Sequence, residues 1–288
     1  MRIGMEIVTY DWAGGPQRIA DTLTAAARSA DDAGFSLIGV PDHVWQSPPM
    51  GAVEQPFLEC FTVLAAIAAQ TSRVRLAPMV AGVHFRAPGM LLKQISTLDV
   101  LSRGRALLGV GVGWYPDEAL GMGVPFPSVG ERFAMLEEAL RIRRQLGQGD
   151  DRPFVGEHYR LDRPLNVPAG FSGALPPVLI GGGGPRTLRL VAGYGDACNL
   201  YPGPDLADKL ALLRRYCDEA GRDYDAIEKT CILPFDVSTP EATKALIGQL
   251  GDLADVGVQT AIGILAGPEP LRDVEVVGAE VIPAVGDR

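Results

Sequence analysis

The chain is short of the residues that most often announce a site. Its 288 residues include four cysteines and three histidines. Cys60, Cys198, Cys217 and Cys231 stand far apart, with no C-x-x-C and no histidine at ligand spacing, so neither a disulfide framework nor a metal site is expected. Scattered thiols of this kind fit a reducing compartment, and a cytoplasmic location is expected. No apolar run reaches the length of about 18 residues that a membrane helix needs. Positive charge is scarce as well: 26 Lys and Arg against 35 Asp and Glu leave a net charge of -9. Nucleic acid needs a basic face, so it is not an expected partner; the acidic balance serves solubility. After Lys93 only Lys209, Lys229 and Lys244 remain. The N-terminus, MRIGMEIV, reads as a strand and lacks the basic, apolar and small-residue regions of a secretory signal.

Glycine and proline are well supplied (35 and 23), as expected where many loops join many short elements. Short apolar runs alternate with helical patterns from end to end. Strands are expected at residues 2–8, 35–40, 74–80, 105–113, 178–181, 197–201, 229–237 and 258–265. Helices are expected at 16–33, 58–71, 88–101, 131–146, 186–192, 206–220, 241–255 and around 269–277. Strict alternation requires parallel strands with crossover helices, and eight such units close a (β/α)8 barrel. An open doubly wound sheet fits less well, because no early strand–turn–helix carries a dinucleotide fingerprint. The chain reads as a single domain over 1–288. Residues 147–176 form an insertion between strands four and five, with a small hairpin at VGEHYRL turning on Gly156.

In such a barrel the active site lies beyond the C-terminal strand ends. There the second strand is followed by Asp42-His43. A carboxylate beside an imidazole can set its tautomer and make a proton donor; equally, a strand-end histidine can cap a loop. His84 follows the third strand and reads as structural; His158, in the hairpin, reads as surface. Gly181 to Gly184, between a strand and a helix, let backbone approach an anion at the helix N-terminus, with Arg186 adding a cation. Gly109, Gly111 and Gly113 alternate along the fourth strand, either as a flat wall for a planar ring or as small residues in barrel layering. Trp45 and Trp114 are expected on the rim.

PDHVW, TSRVRLAPMV, FRAPGMLLKQISTLDVLSRGRALLGVGVGWYPDE and PPVLIGGGGPRTLRLVAGYGDACNL together resemble the luciferase-like monooxygenase superfamily, and within it the coenzyme F420-dependent oxidoreductases. The resemblance covers roughly residues 1–225 and is most specific over 71–118. It implies a luciferase-like (β/α)8 barrel, usually a homodimer, with a deazaflavin ring in the barrel mouth. It assigns Asp42 and His43 to the ring, with His43 and Asp42 as catalytic candidates. It places a non-prolyl cis peptide at Met79-Val80 behind the ring, with Gly111 in the wall beside it. It gives Asp117 a polar cofactor contact and Gly182, Gly183 and Gly184 the cofactor's side chain and phosphate. The sugar-phosphate dehydrogenases of that branch carry a catalytic Glu where this chain has Trp114, and their substrate-binding cations are not evident, so the small-molecule substrate need not be anionic. Hydride transfer with F420 is the expected chemistry. The alternatives are an FMN-dependent monooxygenase served by a separate reductase, and a non-catalytic flavin-binding barrel.

Overall fold

A computed structural model describes residues 1–48 and 50–286. Eleven strands occur in chain order among them: β1 (Arg2–Glu6), β2 (Leu37–Val40), β3 (Arg75–Pro78), β4 (Ala81–Gly82), β5 (Leu108–Gly111), β6 (Phe154–Val155), β7 (Arg160–Leu161), β8 (Val178–Gly181), β9 (Ala197–Leu200), β10 (Glu228–Pro234) and β11 (Thr260–Ile264). The helices are α1 (Pro16–Ala33), α2 (Cys60–Ala68), α3 (Pro88–Leu101), α4 (Pro116–Gly121), α5 (Val129–Gly147), α6 (Pro185–Tyr194), α7 (Leu206–Ala220), α8 (Pro240–Asp255), α9 (Pro270–Val276) and α10 (Ile282–Val285). No described helix is long and apolar enough to cross a membrane.

Nine strands form one parallel sheet in the order β3-β2-β1-β11-β10-β9-β8-β5-β4. Its two ends, β3 and β4, are pieces of one barrel strand, so the sheet is a barrel of eight. Closure is made low in the barrel: the Leu76 N–H donates to the Arg105 carbonyl and the Leu107 N–H to the Leu76 carbonyl, both at 2.9 Å. Higher up the chain leaves the ladder at Met79-Val80, where the peptide is cis, and rejoins it as β4 beside β5. The third strand expected over 74–80 is therefore broken at its upper end. The expected hairpin is present as antiparallel β6 and β7.

Alternation along each strand sorts the core into two parts. Leu37, Ala77, Leu107, Leu179, Ile232 and Ile262 pack together as one small cluster. Their chain neighbours Ile38, Leu76, Ile180, Cys231 and Ala261 belong to the larger cluster that includes residues from the surrounding helices. Helix ends follow local chemistry. Pro occupies the first turn of α1, α3, α6 and α8, and Gly34 and Gly221 close α1 and α7 in the left-handed region. Ser128 and Glu131 form a reciprocal capping box, which starts α5 two residues before the periodic pattern does. The last expected helix, 269–277, continues through one wide π turn (Val277–Val281) into α10. An unexpected helix, α4, follows β5.

Two carboxylates tie down the lower half. Glu228 receives both guanidinium nitrogens of Arg75 at 2.9 and 3.0 Å and the Thr260 hydroxyl at 2.6 Å, linking the starts of β3, β10 and β11. Asp31, at the end of α1, accepts the backbone N–H groups of Ser72, Arg73 and Val74 at 2.8, 2.9 and 2.7 Å. Burial pushes its carboxyl up, but these N–H donors outweigh that and hold it below the usual range. Asp31→Ala leaves three donors without their acceptor and should cost about 2–3 kcal/mol in urea unfolding. A loss within 0.5 kcal/mol of zero, with the slope unchanged, would show that solvent replaces the carboxylate.

Candidate active site

The strand ends converge on a cavity of about 580 Å³, within the roughly 300–1,000 Å³ of ordinary ligand sites. Every strand of the barrel sends at least one residue to its wall: Glu6 from β1, Asp42 and His43 beyond β2, Met79, Val80 and Gly82 from the broken strand, Gly111 and Trp114 from and beyond β5, Gly181 and Gly182 at β8, Asn199, Ile232 and Ile264. Among the described residues no lysine or arginine lines it.

Asp42 and His43 are neighbours in sequence but have separate partners. The Asp42 carboxylate takes a bidentate grip from Arg86 at 2.6 and 2.9 Å and the Gly82 N–H at 3.1 Å. Burial pushes that carboxyl up, against the pull of Arg86. It therefore ties the loop after β2 to the start of α3 and does not set the tautomer of His43. That role falls to Glu118. His43 Nδ1 lies 2.8 Å from Glu118 Oε2, while Oε1 accepts the N–H groups of Val44 and Trp45 at 2.7 and 3.0 Å. Burial pushes the Glu118 carboxyl up, but His43 and the two N–H groups together hold it below its ordinary value. An ionised Glu118 makes Nδ1 the donor and leaves Nε2 as the imidazole nitrogen available to a ligand. Trp114 and Tyr115 stand edge-on to the imidazole at 5.5 and 6.2 Å and stack on each other at 5.2 Å.

The family resemblance implies a polar cofactor contact at Asp117. Asp117 is exposed on α4 and does not line the cavity; Glu118, one residue on, faces inward. Of the glycine run, Gly181 and Gly182 line the cavity, whereas Gly183 and Gly184 do not. Gly184 is the N-cap of α6 and no side chain caps that helix. A Cβ at Gly183 would lie 3.2 Å from Cδ and Cε of Lys209, whose Nζ is paired with Asp205 at 2.9 Å. Arg186 is elsewhere: it stacks over Phe133 at 4.4 Å and lines a separate surface groove. Trp45 packs on Gly121 of α4, while Trp114 is a half-exposed rim aromatic.

The alternate glycines of β5 have a different cause from either one expected. A Cβ at Gly109 would meet the Pro78 carbonyl, one at Gly111 would lie 2.7 Å from Val80, and one at Gly113 would meet the His84 ring. They make room for the break in the third strand and for His84. Gly111 still borders the cavity beside Val80. His84 packs against Phe85 and Phe126 at 4.2 and 4.9 Å. Both its ring nitrogens are buried without a partner, and burial pushes its pKa down to about 4. It is a neutral packing residue that touches the cavity wall. His158 stands outside, its N–H held by Glu138.

Glu6 and Glu118 are the residues that motif reasoning missed. Glu118 is 75 positions from His43, so no local pattern couples them. Glu6 left a faint trace: it is the one carboxylate inside the apolar run IGMEIV.

A barrel of this topology with its cavity at the strand C-termini defines a class, and comparison with known proteins places the chain within it. Residues 1–251 match the family described as luciferase-like monooxygenase. The chain belongs to that family and is an oxidoreductase. A Mycobacterium tuberculosis protein described as uncharacterized is 30% identical over 279 residues, spanning 90% of this chain and 94% of its own. An F420-dependent glucose-6-phosphate dehydrogenase of Kineococcus radiotolerans is 32% identical over 240 residues, spanning 79% of this chain and 66% of its own. Among solved structures, the coenzyme F420-dependent tetrahydromethanopterin reductase of Methanopyrus kandleri superposes with a TM-score of 0.79 at 18% identity, covering 98% of this chain and 99% of that one. The FMN complex of the oxygenating constituent of 3,6-diketocamphane monooxygenase from Pseudomonas putida reaches 0.74 at 17% identity, covering 98% of each chain. These two likenesses speak to fold.

Glu118→Gln keeps the shape and removes the charge. It should cost roughly 1–3 kcal/mol at pH 7, since a charged acceptor of three hydrogen bonds becomes a neutral one. Because the native carboxyl is held below its unfolded value of about 4.5, its contribution is present above that pH and disappears as pH falls through the native value. The gap between wild type and variant in urea midpoints should close on acidification; a gap that is constant with pH would sink this assignment.

Proposed function

We propose that the chain transfers hydride between a deazaflavin of the coenzyme F420 kind and a small, uncharged organic substrate. The observation that carries this reading is the cavity itself. One wall holds an imidazole whose Nδ1 is occupied by a buried carboxylate. The other leads past Gly182 to the uncapped start of α6, where a phosphate-bearing side chain has N–H donors to meet, with Lys209, paired to Asp205, beside Gly183. The residues present fit such a group: Met79 and Val80 supply an apolar wall, Gly111 and Gly182 add no side-chain bulk, and the volume takes a tricyclic ring with a small partner. Bound there, the deazaflavin supplies the hydride.

The protein's part is position and proton control. Asp42, locked by Arg86, holds the loop after β2 at a set height. His43 presents Nε2 to the ring or to the reacting oxygen, with Glu118 compensating a positive charge on the imidazole. Asp42 thus serves as a positioning residue and His43 as the catalytic one. The similarity to F420-dependent relatives over most of the chain supports this cofactor, and a cavity wall without lysine or arginine among the described residues argues against a sugar phosphate as substrate.

Parallel titrations of the purified protein with deazaflavin and with FMN, followed by fluorescence, test the cofactor. Deazaflavin binding in the micromolar range or tighter, with FMN much weaker, is the expected result. The reverse preference would replace this reading with an FMN-dependent monooxygenase served by a separate reductase. His43→Ala should then lower the hydride-transfer rate about 10²–10⁴-fold with little change in deazaflavin affinity; an unaltered rate would leave a flavin-binding barrel without this chemistry.

A further inference from the structure

Arg132, at the start of α5, is buried, and its hydrogen bonds all go to main-chain oxygen. Nε donates to the Val112 carbonyl at 2.8 Å, Nη2 to the Gly113 carbonyl at 3.5 Å, and Nη1 to the Pro127 carbonyl. Among the described residues no carboxylate pairs with it. The place is unfavourable for a cation on two counts. A buried charge without a counter-charge is costly, and the start of a helix is the positive end of its dipole. What the guanidinium does there is read from the three carbonyls. Val112 and Gly113 follow β5, whose last ladder pair is Gly111 with Gly82. Gly113 turns the chain through left-handed backbone at φ 75°. The chain then runs out as Trp114, Tyr115 and α4 and comes back at Pro127, just before the Ser128 N-cap of α5. One guanidinium therefore holds both stems of the 114–126 excursion. It also stacks over Phe126 at 3.8 Å, and Phe126 stands edge-on to His84 in the cavity wall. The excursion carries Glu118, which reaches His43 Nδ1 at 2.8 Å and the N–H groups of Val44 and Trp45. Its helix, α4, has six residues and no side-chain cap, too short to hold a position by itself.

We propose that Arg132 is a positioning residue for His43: by fixing both stems of the 114–126 excursion it sets Glu118 against Nδ1, and so decides which imidazole nitrogen carries the proton. A hydrogen bond weakens steeply with distance and angle, so a small displacement of α4 releases Nδ1 while the barrel stays intact. A neutral imidazole freed of Glu118 prefers its proton on Nε2, the nitrogen that faces the cavity. That change turns an acceptor into a donor at the one ring atom a ligand can reach. Arg132 itself does not line the cavity and acts only through the backbone it holds. Its planar fork matters as much as its charge, because a lysine ammonium is a compact donor that cannot span carbonyls on both stems. For its consequence in turnover the proposal rests on the reading of His43 as the catalytic group.

The test reads the imidazole in the cofactor-free protein, so its failure is separate from failure of the deazaflavin assignment. The full chain, labelled with ¹⁵N at histidine, is followed in long-range ¹H–¹⁵N spectra in mildly alkaline buffer, where the tautomers of neutral rings are distinguished. His43→Gln assigns the signals of His43, and His158, outside the cavity, serves as the control. Wild type should carry the His43 proton on Nδ1. In Arg132→Met, which keeps much of the volume and loses the donors, the ratio of the Nδ1–H to the Nε2–H form should fall about tenfold, the factor that a hydrogen bond of about 1.4 kcal/mol carries. His158 should not move. Arg132→Lys should give a ratio between the two. Placed in a Glu118→Gln background, Arg132→Met should change the ratio little, because the carboxylate through which Arg132 acts is already gone. An arginine that only stabilised the fold would lower the urea midpoint and leave the tautomer alone. A wild-type ratio in folded Arg132→Met, or an effect of full size in the Glu118→Gln background, overturns the proposal. So does a wild-type protein whose His43 proton sits on Nε2. If Arg132→Met does not fold, Arg132→Lys decides: a lowered ratio supports the proposal and a wild-type ratio overturns it.

Discussion

The structure depends on a break in one strand. Parallel barrels close only if every strand meets both neighbours, and here the lower part of the third strand meets β2 and, through Leu76, the residues leading into β5, while its upper part, β4, pairs with β5 alone. Between them Met79-Val80 leaves the ladder, and the Val80 side chain enters the barrel where a β5 or β8 side chain would otherwise stand. Gly109, Gly111 and Gly181 are the sequence's answer to that intrusion. Because Val80 fills the upper barrel, the cavity rests on an apolar shelf and opens upward, instead of running down between the strands.

That shelf sets the electrostatics of everything above it. A wall with many apolar side chains and, among the described residues, no lysine or arginine makes each carboxyl's state depend on its own partners. Asp42 is clamped by Arg86, Glu118 is held ionised by three donors, and Glu6, with nothing to pair with, keeps its proton to about pH 8. Three carboxyl groups in one cavity thus occupy three different conditions, each set by its own surroundings.

The barrel was legible in the sequence because strand and helix patterns alternate on both sides of the 147–176 insertion and some helices carry a plain stop, as Gly34 and Gly221 do for α1 and α7. The family emerged from long blocks of matching residues, and with it the cavity's position. Details failed where a residue's role depends on a distant partner. Asp42 beside His43 looked like a pair, yet a loop residue and its neighbour point different ways, and the true partner of each lies 44 or 75 residues on. Gly109 and Gly111 read as a wall for a ring or as barrel layering, and only the structure shows that they also make room for Pro78 and Val80.

Sequence by itself determined the eight βα units, the parallel sheet they require, the end of the barrel at which chemistry can occur, and the scarcity of positive charge available there. These are properties of local periodicity and composition, and no long-range contact can reverse them. Only the tertiary structure decided that Glu118 and not Asp42 holds His43, that Asp117 faces away, and that Glu6 stands buried without a partner. Ionisation and hydrogen bonding act over a few ångströms of space, and the residues that come within that distance are set by how the barrel closes.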